Sequence, residues 1–287
     1  MPCHSRRRRR EGKLAIGERP YVAADATENL EWERLELLQT LYDTSTTQQL
    51  ARLGIRAGWQ CLEVGAGRGS IAHWLAGCVG PVGRVVAADM DPRFLRRVSL
   101  PSNVEIRTLN ILTQAVEVQQ YDLVYCRALL MNVPQSEVAL SHMAAAVRPG
   151  GWLYLEEFDL RTLSAVDAAY PGAALFDRTI QTCWDALHAA GRLQPAFARR
   201  VLGLVEQLGF VHTGAIGEVL LGRGGSHPLG RFWSLTFRVP GIESLVEQGV
   251  VSREAFEQMR QLFDDAAFAF VSSIQFRVWG QRPDEGT

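Results

Sequence analysis

The stretch Cys61-Leu62-Glu63-Val64-Gly65-Ala66-Gly67-Arg68-Gly69-Ser70 decides the fold of this chain. A short apolar run ends at an acidic residue and passes directly into three alternating glycines. Glycine reaches backbone angles that other residues avoid, and it lets a ligand lie against the main chain. Residues 71–75 then resume an apolar helical pattern. The stretch therefore predicts a strand, a ligand-binding loop and a helix, with a nucleotide-like ligand at the loop.

The glycine spacing leaves two kinds of nucleotide-binding loop open. A dinucleotide-binding loop has the spacing G-x-G-x-x-G/A. Counted from Gly65, this spacing fails at Ser70. Counted from Gly67, it is met by Gly69 and Ala72, but with two extra residues between the strand and the first glycine. An NAD-dependent oxidoreductase therefore remains an alternative.

A second acidic residue follows where either loop requires one. Residues 84–88 form another apolar run, which ends in Asp89, about twenty residues after the glycines. A carboxylate at that distance can accept hydrogen bonds from both hydroxyls of a ribose. The pattern indicates a ligand that carries a ribose.

The run from Glu63 to Gly69 resembles motif I, Glu-x-Gly-x-Gly-x-Gly, of the class I S-adenosylmethionine-dependent methyltransferases. Four later segments resemble further motifs of that family, in the same order. They are residues 85–92 with Met90, residues 104–108 leading to Asn110 and Ile111, residues 121–127, and the Arg-Pro-Gly-Gly turn within residues 147–155. Five ordered signatures over roughly a hundred residues favour the methyltransferase over the dehydrogenase.

The resemblance implies a fold and a set of donor-binding residues. The fold is α/β: a Rossmann-like, doubly wound sheet of seven strands, mostly parallel, with an antiparallel last strand at the sheet edge and helical lid insertions. The cofactor is S-adenosylmethionine, and the product is S-adenosylhomocysteine. The residues expected to bind it are Tyr21, Glu63, Gly65, Ala66, Gly67, Gly69, Ser70, Asp89, Met90, Asn110, Ile111 and Arg127.

The implied chemistry is methyl transfer to oxygen, nitrogen or carbon of a small hydrophobic acceptor of the secondary-metabolite type. Candidate bases are Glu156, Glu157 and Asp159 at the end of the fifth strand, and His188 in a predicted lid. The residues expected to contact the acceptor are Met131, Trp184, His227 and Trp233. A protein of this fold that binds the donor without methylating, as a sensor, scaffold or cyclisation catalyst, is a second alternative.

Composition limits the partners and the location of the chain. It has 287 residues, and its 30 basic against 31 acidic side chains disfavour nucleic acid as a partner. Five cysteines without metal-ligand spacing favour a reducing cytoplasm. No apolar run is long enough to span a membrane. No metal is expected, because residues 126–131 supply no carboxylate after the fourth strand. A homo-oligomer is left open.

Segment lengths divide the chain into a core and lids. Residues 1–20, with consecutive arginines at 6–10, are expected to form a disordered tail. Two helices are expected within residues 21–58, the second over 46–53, and together with the lids they are expected to roof the ligand cleft. The donor-binding core follows at 59–158. A lid insertion is expected at 159–200. Residues 201–287 complete the sheet with a final strand over 270–279, after a second insertion at 217–267.

Overall fold

The computed structural model describes residues 27–284, so Tyr21 and the predicted tail lie outside the described residues. The helices of the described part are α1 (Glu28–Ala51), α2 (Ser70–Val79), α3 (Ser136–Ala146), α4 (Ala173–Ala189), α5 (Val201–Gln207), α6 (Pro228–Thr236), α7 (Pro240–Glu247) and α8 (Arg253–Asp264). Its strands are β1 (Gln60–Val64), β2 (Arg84–Asp89), β3 (Val104–Thr108), β4 (Tyr121–Arg127), β5 (Val147–Asp159), β6 (Ser164–Ala165), β7 (Val211–Glu218), β8 (Leu221–Arg223), β9 (Ala269–Val271) and β10 (Ile274–Gln281).

Seven strands form the central sheet, in the order β3-β2-β1-β4-β5-β10-β7. Neighbours from β3 to β5 run parallel, whereas β10 runs antiparallel to both β5 and β7. Strands β1, β2 and β4 are buried over nearly their whole length, as expected for parallel strands covered on both faces. Helix α2 covers one face, and α3 and α5 cover the other. The predicted Rossmann-like α/β fold is confirmed.

The prediction that the last strand lies at the sheet edge is wrong. Strand β10 lies between β5 and β7, and β7 forms the edge. The burial of the two strands agrees with the order, because β10 carries the buried side chains of Gln275, Arg277 and Val278, whereas Val211 of β7 is exposed. In the middle position the backbone groups of β10 find hydrogen-bond partners on both sides, in β5 and in β7.

The two helices predicted before the first strand are one continuous helix, α1. Residues 44–47 read Thr-Ser-Thr-Thr, which lowers helix propensity. Two of these hydroxyls are bound by the surrounding structure, since Thr46 donates to Glu156 and Ser45 donates to Glu218. Tertiary hydrogen bonds therefore outweigh the local preference to end the helix.

The strand predicted over residues 270–279 is two strands. It breaks at Ser272 and Ser273, so that β9 joins a small sheet of order β6-β9-β8 and β10 joins the central sheet. The N–H of Ser272 donates to Leu220, which fixes the break. Helix α8 ends at Asp264, before β9 begins at Ala269. Strands of two or three residues are too short to give a periodic sequence signal.

Helices α4, α6, α7 and α8 and the small sheet form a layer that we call the cap. The cap has its own hydrophobic cluster, separate from the two clusters against the sheet. Its centre is aromatic: the ring of Phe176 lies 4.8 Å from that of Phe268 and 5.0 Å from that of Phe263. Rings at these distances and tilted angles attract each other beyond their burial. The cap is thus a packed layer of its own, lying against the central sheet.

Candidate active site

One cavity of about 540 Å³ lies between the carboxyl ends of the central strands, α1 and the cap. Ligands of open parallel sheets bind at this end of the strands. The wall divides into two halves by chemistry. The half next to the sheet is lined mainly by Glu63, Gly65, Ala66, Gly67, Ser70, Asp89, Met90, Asn110, Ile111 and Arg127. The half next to the cap is lined mainly by Leu38, Met131, Phe158, Leu160, Trp184, Leu193, Phe232, Trp233, Val239 and Ile242.

The loop after β1 is bent by glycines in the left-handed region. The φ angles of Gly65, Gly67 and Gly69 are +75°, +56° and +76°. The N–H groups of Gly65 and Ala66 both donate to the carbonyl of Ala88, at 2.8 and 3.1 Å, and so hold the loop against β2. The loop therefore presents its backbone to the cavity at Gly65 and Gly67.

Gly69 is the one glycine of the motif that does not line the cavity. It precedes α2, and a β-carbon at this position would lie 2.7 Å from Cδ2 of Leu95. Close packing against Leu95 behind the loop, together with the positive φ, therefore favours glycine at this position. A direct contact between Gly69 and a ligand has no support in this geometry.

Asp89 ends β2 and ties the glycine loop to the next turn. Its Oδ2 accepts the N–H of Gly67 at 3.0 Å, and its Oδ1 accepts the N–H of Asp91 at 2.9 Å. Burial raises the pKa of Asp89, while these two N–H groups lower it. A carboxylate offers about four acceptor positions, so two remain for hydroxyls of a ligand.

Glu63 places a buried carboxyl group in the same wall. Its Oε2 has no hydrogen-bond partner among the described residues. Burial raises the pKa of Glu63 to about 8, although the neighbouring guanidinium of Arg127 acts to lower it. An unpartnered buried carboxyl oxygen is costly, and a cationic or hydrogen-bond-donating ligand group would relieve that cost.

The turns after β2 and β3 complete the sheet half of the cavity. Met90 is 43% exposed and lines the wall beside Asp89. Ile111 is buried, and the Oδ1 atom of Asn110 accepts the N–H of Leu112 at 3.0 Å. These residues form a flat, partly apolar surface with an amide at its side.

The cap half of the cavity is apolar and aromatic. Trp184 and Trp233 are 2% and 4% exposed, and their rings lie 6.4 Å apart. Met131 lines the wall from the turn after β4. The rings of Trp184 and Trp233 also pack against Phe237 and belong to the core of the cap. Both tryptophans therefore serve the fold as well as the cavity wall.

Glu156 and Glu157, two of the three carboxylates predicted as bases, do not line the cavity. Both oxygens of Glu156 are bound by Thr46, Tyr125 or Arg277 in the protein interior. Glu157 accepts the N–H groups of residues 129, 130 and 131, at 3.1, 2.7 and 3.1 Å. Burial raises the pKa of Glu157 to about 7, although these N–H groups lower it. The geometry gives neither carboxylate a path to an acceptor, so we correct their role from catalytic to structural.

Three further candidates also lie away from the cavity wall. Asp159 is buried and pairs with Arg199 at 2.6 Å. His188 is exposed on α4, where its Nδ1 lies 3.1 Å from the carbonyl of Leu193. His227 precedes α6, and its Nδ1 accepts the N–H of Leu229 at 3.2 Å. We correct His227 from a substrate contact to a helix cap and withdraw His188 as a base.

Helix α1 contributes cavity residues that the sequence did not single out. Leu35, Leu38 and Gln39 line the wall, and Cδ2 of Leu35 would lie 3.6 Å from a β-carbon at Gly67. The sequence predicts helices that roof the cleft, but it does not identify which of their side chains reach the cavity. Leu35 places α1 against the glycine loop.

The fold and site define the class of the protein. The family model described as a methyltransferase domain matches residues 34–212, so the chain belongs to that family. Residues 34–212 therefore form a methyltransferase domain.

Individual proteins support the same class. Over 141 residues the chain is 30% identical to methyltransferase str2 of Strobilurus tenacellus, covering 49% of this chain and 50% of that protein. Over 124 residues it is 31% identical to the ubiquinone/menaquinone biosynthesis C-methyltransferase UbiE of Pseudomonas fluorescens, covering 41% and 48%. The chain thus spans about half the length of these curated relatives. A Bacillus halodurans C-125 structure described as a methyltransferase has a TM-score of 0.52 at 14% identity, covering 83% of this chain and 98% of that one, and so shares the fold.

Residues 27–284 offer neither a membrane-spanning helix nor a metal-binding cluster. No helix there combines the length and apolar character needed to cross a bilayer. No group of three or more His, Cys, Asp or Glu side chains within that range is arranged to hold a metal ion. The cysteines at 61, 78, 126 and 183 are free thiols. The expected cytoplasmic location and independence of metal stay predictions.

Proposed function

We propose that the sheet half of the cavity binds S-adenosylmethionine and that the cap half binds a small hydrophobic acceptor. The observation that carries the proposal is the convergence of Glu63, the Gly65–Gly67 backbone, Asp89 and Asn110 on one cavity whose other half is aromatic. Its volume of about 540 Å³ lies within the range of pockets that enclose small ligands.

Each polar group of the sheet half suits one part of the donor. Asp89 would accept the ribose hydroxyls with the lone pairs that its two backbone bonds leave over. Met90 and Ile111 would lie along the adenine, with Asn110 beside it. Glu63 and Arg127, of opposite charge when ionised, would face the amino and carboxylate groups of the methionine part.

When bound, the donor supplies a methyl group already activated by a positively charged sulfur. In such a transfer the acceptor would bond to the methyl carbon as the carbon–sulfur bond broke, and the electron pair of that bond would stay on sulfur. The protein's contribution is alignment of the two partners and exclusion of water. Helix α1 and the cap support both tasks, because they roof the cavity with buried side chains such as Leu38 and Trp233.

The acceptor is proposed to be flat and apolar, of the kind made in secondary metabolism. Aromatic side chains Phe158, Trp184, Phe232 and Trp233 in one wall favour ring stacking. The name of one relative, a C-methyltransferase of quinone biosynthesis, puts aromatic ring carbons among the atoms to test, beside oxygen and nitrogen.

Thermal unfolding with added ligands tests the donor assignment. At a hundredfold excess over its dissociation constant, S-adenosylhomocysteine should stabilise the chain by roughly 2.7 kcal/mol. Stabilisation by NAD but not by S-adenosylmethionine or S-adenosylhomocysteine would overturn the proposal. A panel of phenols, quinols and aromatic amines, incubated with labelled donor and followed by mass spectrometry, then identifies the acceptor.

A further inference from the structure

A line of buried hydrogen bonds leads from the cavity wall into the protein interior. It begins at Arg127, whose side chain is 9% exposed. Its Nη2 donates to Asp43 at 2.8 Å, and its Nη1 donates to the hydroxyl of Thr46 at 3.2 Å. Both partners belong to α1. Arg127 therefore joins the end of β4 to the helix that covers the cavity.

The hydroxyl of Thr46 is oriented by Glu156. Thr46 is fully buried, and its Oγ1 lies 2.8 Å from Oε2 of Glu156. A hydroxyl has one proton to donate, and a carboxylate can only accept. The proton of Thr46 is therefore directed to Glu156, and a lone pair of the same oxygen is left for Arg127.

Glu156 is in turn held from its other side. The hydroxyl of Tyr125 donates to it at 2.9 Å and Nε of Arg277 donates at 2.8 Å. Nη2 of Arg277 donates to Glu218 at 2.6 Å and to Ser45 at 2.7 Å. Charge-assisted bonds between buried groups are strong and fix direction as well as distance.

The guanidinium of Arg127 keeps donors for a ligand. Its hydrogen bonds within residues 27–284 are the two to α1, and a guanidinium has five N–H groups. The remaining N–H groups lie in a side chain that lines the cavity, near the carboxyl group of Glu63. Within that range Arg127 therefore has three unused N–H donors in a fixed plane, and two of them can bind the two oxygens of a carboxylate.

We propose that Thr46 and Glu156 are positioning residues, which aim the guanidinium of Arg127 at the carboxylate of the donor's methionine part. This inference rests on the proposed function. It gives Glu156 a role that differs from proton abstraction, because Glu156 acts on the ligand only through Thr46 and Arg127. The adenine and ribose contacts, which come from the loops after β1 to β3, should not depend on it.

Two ligands that differ only in the amino-acid part separate this role from a general structural one. S-adenosylhomocysteine carries the carboxylate, whereas 5′-methylthioadenosine has the adenine, ribose and sulfur but no amino-acid part. Calorimetric titration of Thr46→Val, which keeps the shape and removes the hydroxyl, should show at least about tenfold weaker binding of S-adenosylhomocysteine. Binding of 5′-methylthioadenosine should stay within about twofold of wild type. Thr46→Ser, which keeps the hydroxyl, should restore both affinities.

Ser45→Ala is the matched control. Ser45 is the neighbouring residue on α1 and joins the same network at Arg277 and Glu218, but it has no bond to Arg127. This variant should lose stability without changing the ratio of the two affinities. Should Thr46→Val not fold, Thr46→Ala makes the same test with a smaller side chain.

The outcomes are distinct. Selective loss of S-adenosylhomocysteine binding in the Thr46 variant alone supports the inference. Equal loss of both ligands, loss of neither, or the same selective loss in Ser45→Ala overturns it while the proposed function stands. A wild-type chain that binds neither ligand overturns the proposed function itself, and the inference with it.

Discussion

The backbone N–H of Gly67 lies 3.0 Å from Oδ2 of Asp89, which joins the middle of the glycine loop to the end of the neighbouring strand. One carboxylate therefore shapes the loop and, in the proposed complex, accepts the ribose. A change at Asp89 acts on both tasks at once, which makes this side chain the most informative single position in the sheet half of the cavity.

Replacing Asp89 by Asn is expected to weaken binding of S-adenosylhomocysteine by about 1 to 3 kcal/mol. The amide keeps the shape but only one acceptor oxygen, so one of the two backbone N–H groups loses its partner and the charged acceptor for the hydroxyls is lost as well. Titration calorimetry measures the difference. Glu105→Gln, at a half-exposed site on β3 whose carboxylate pairs with Arg84 and Arg107, is the control and should bind normally. Unchanged affinity in Asp89→Asn would remove the ribose role.

Glu63 is expected to make stability depend on pH. Its pKa is raised by burial from 4.5 to about 8, so the folded chain holds a proton that the unfolded chain releases. The contribution of this group is full below about pH 4.5 and is lost as pH rises through about 8. Unfolding free energies of wild type and Glu63→Gln, measured from pH 5 to 8, should diverge in favour of the variant as pH rises. If the difference in unfolding free energy between the two proteins stayed constant over that range, the raised pKa of Glu63 would be contradicted.

Glu157 is expected to be essential for folding of the turn after β4. Glu157→Leu leaves three backbone N–H groups without their acceptor, which should cost at least about 3 kcal/mol. Glu157→Gln keeps one acceptor oxygen and should cost clearly less. Denaturant unfolding compares the two variants. Equal stability of Leu and Gln variants would mean that these hydrogen bonds do not support the turn.

Trp233 is expected to report on packing and acceptor binding separately. Its ring stacks on Phe263 at 6.5 Å, so Trp233→Ala should cost roughly 3 to 5 kcal/mol of stability. Trp233→Phe keeps an aromatic ring and should cost less. Each of the two variants that folds should bind S-adenosylhomocysteine with near-normal affinity. Its methyl transfer to an identified acceptor should be slower than that of the wild type. Parallel loss of donor and acceptor binding would assign Trp233 to the core of the cap alone.

The sheet half of the site could be predicted because its residues lie next to strand ends that are recognisable in the sequence. Glu63, Gly67 and Asp89 follow buried apolar runs, and the carboxyl ends of parallel strands meet at one edge. Gly69 is the exception, since its environment depends on Leu95, which no local pattern connects to it.

The role of the carboxylates after β5 could not be predicted, because their partners are distant in the chain. Thr46 and Glu156 are separated by 110 positions, and Glu156 and Arg277 by 121. The local sequence around a charged residue at a strand end is the same whether that residue faces a cavity or a buried counter-ion. The position of β10 is unpredictable for the same reason, since nothing in its own residues identifies β5 and β7 as its neighbours.

The placement of β10 between β5 and β7 has a consequence for how the chain folds. Within residues 27–284, β10 is the one partner of β7 in the central sheet, and it follows β7 along the chain after the whole of α6, α7 and α8. During synthesis β7 emerges from the ribosome well before its neighbour, so both it and the outer side of β5 wait as unpaired strand edges. Closure of such distant pairs is slow, and exposed edges recruit other chains. Nascent chains halted before β10 should therefore aggregate or bind chaperones. Once β10 is released from the ribosome, it should pair with β5 and β7 in a single late step.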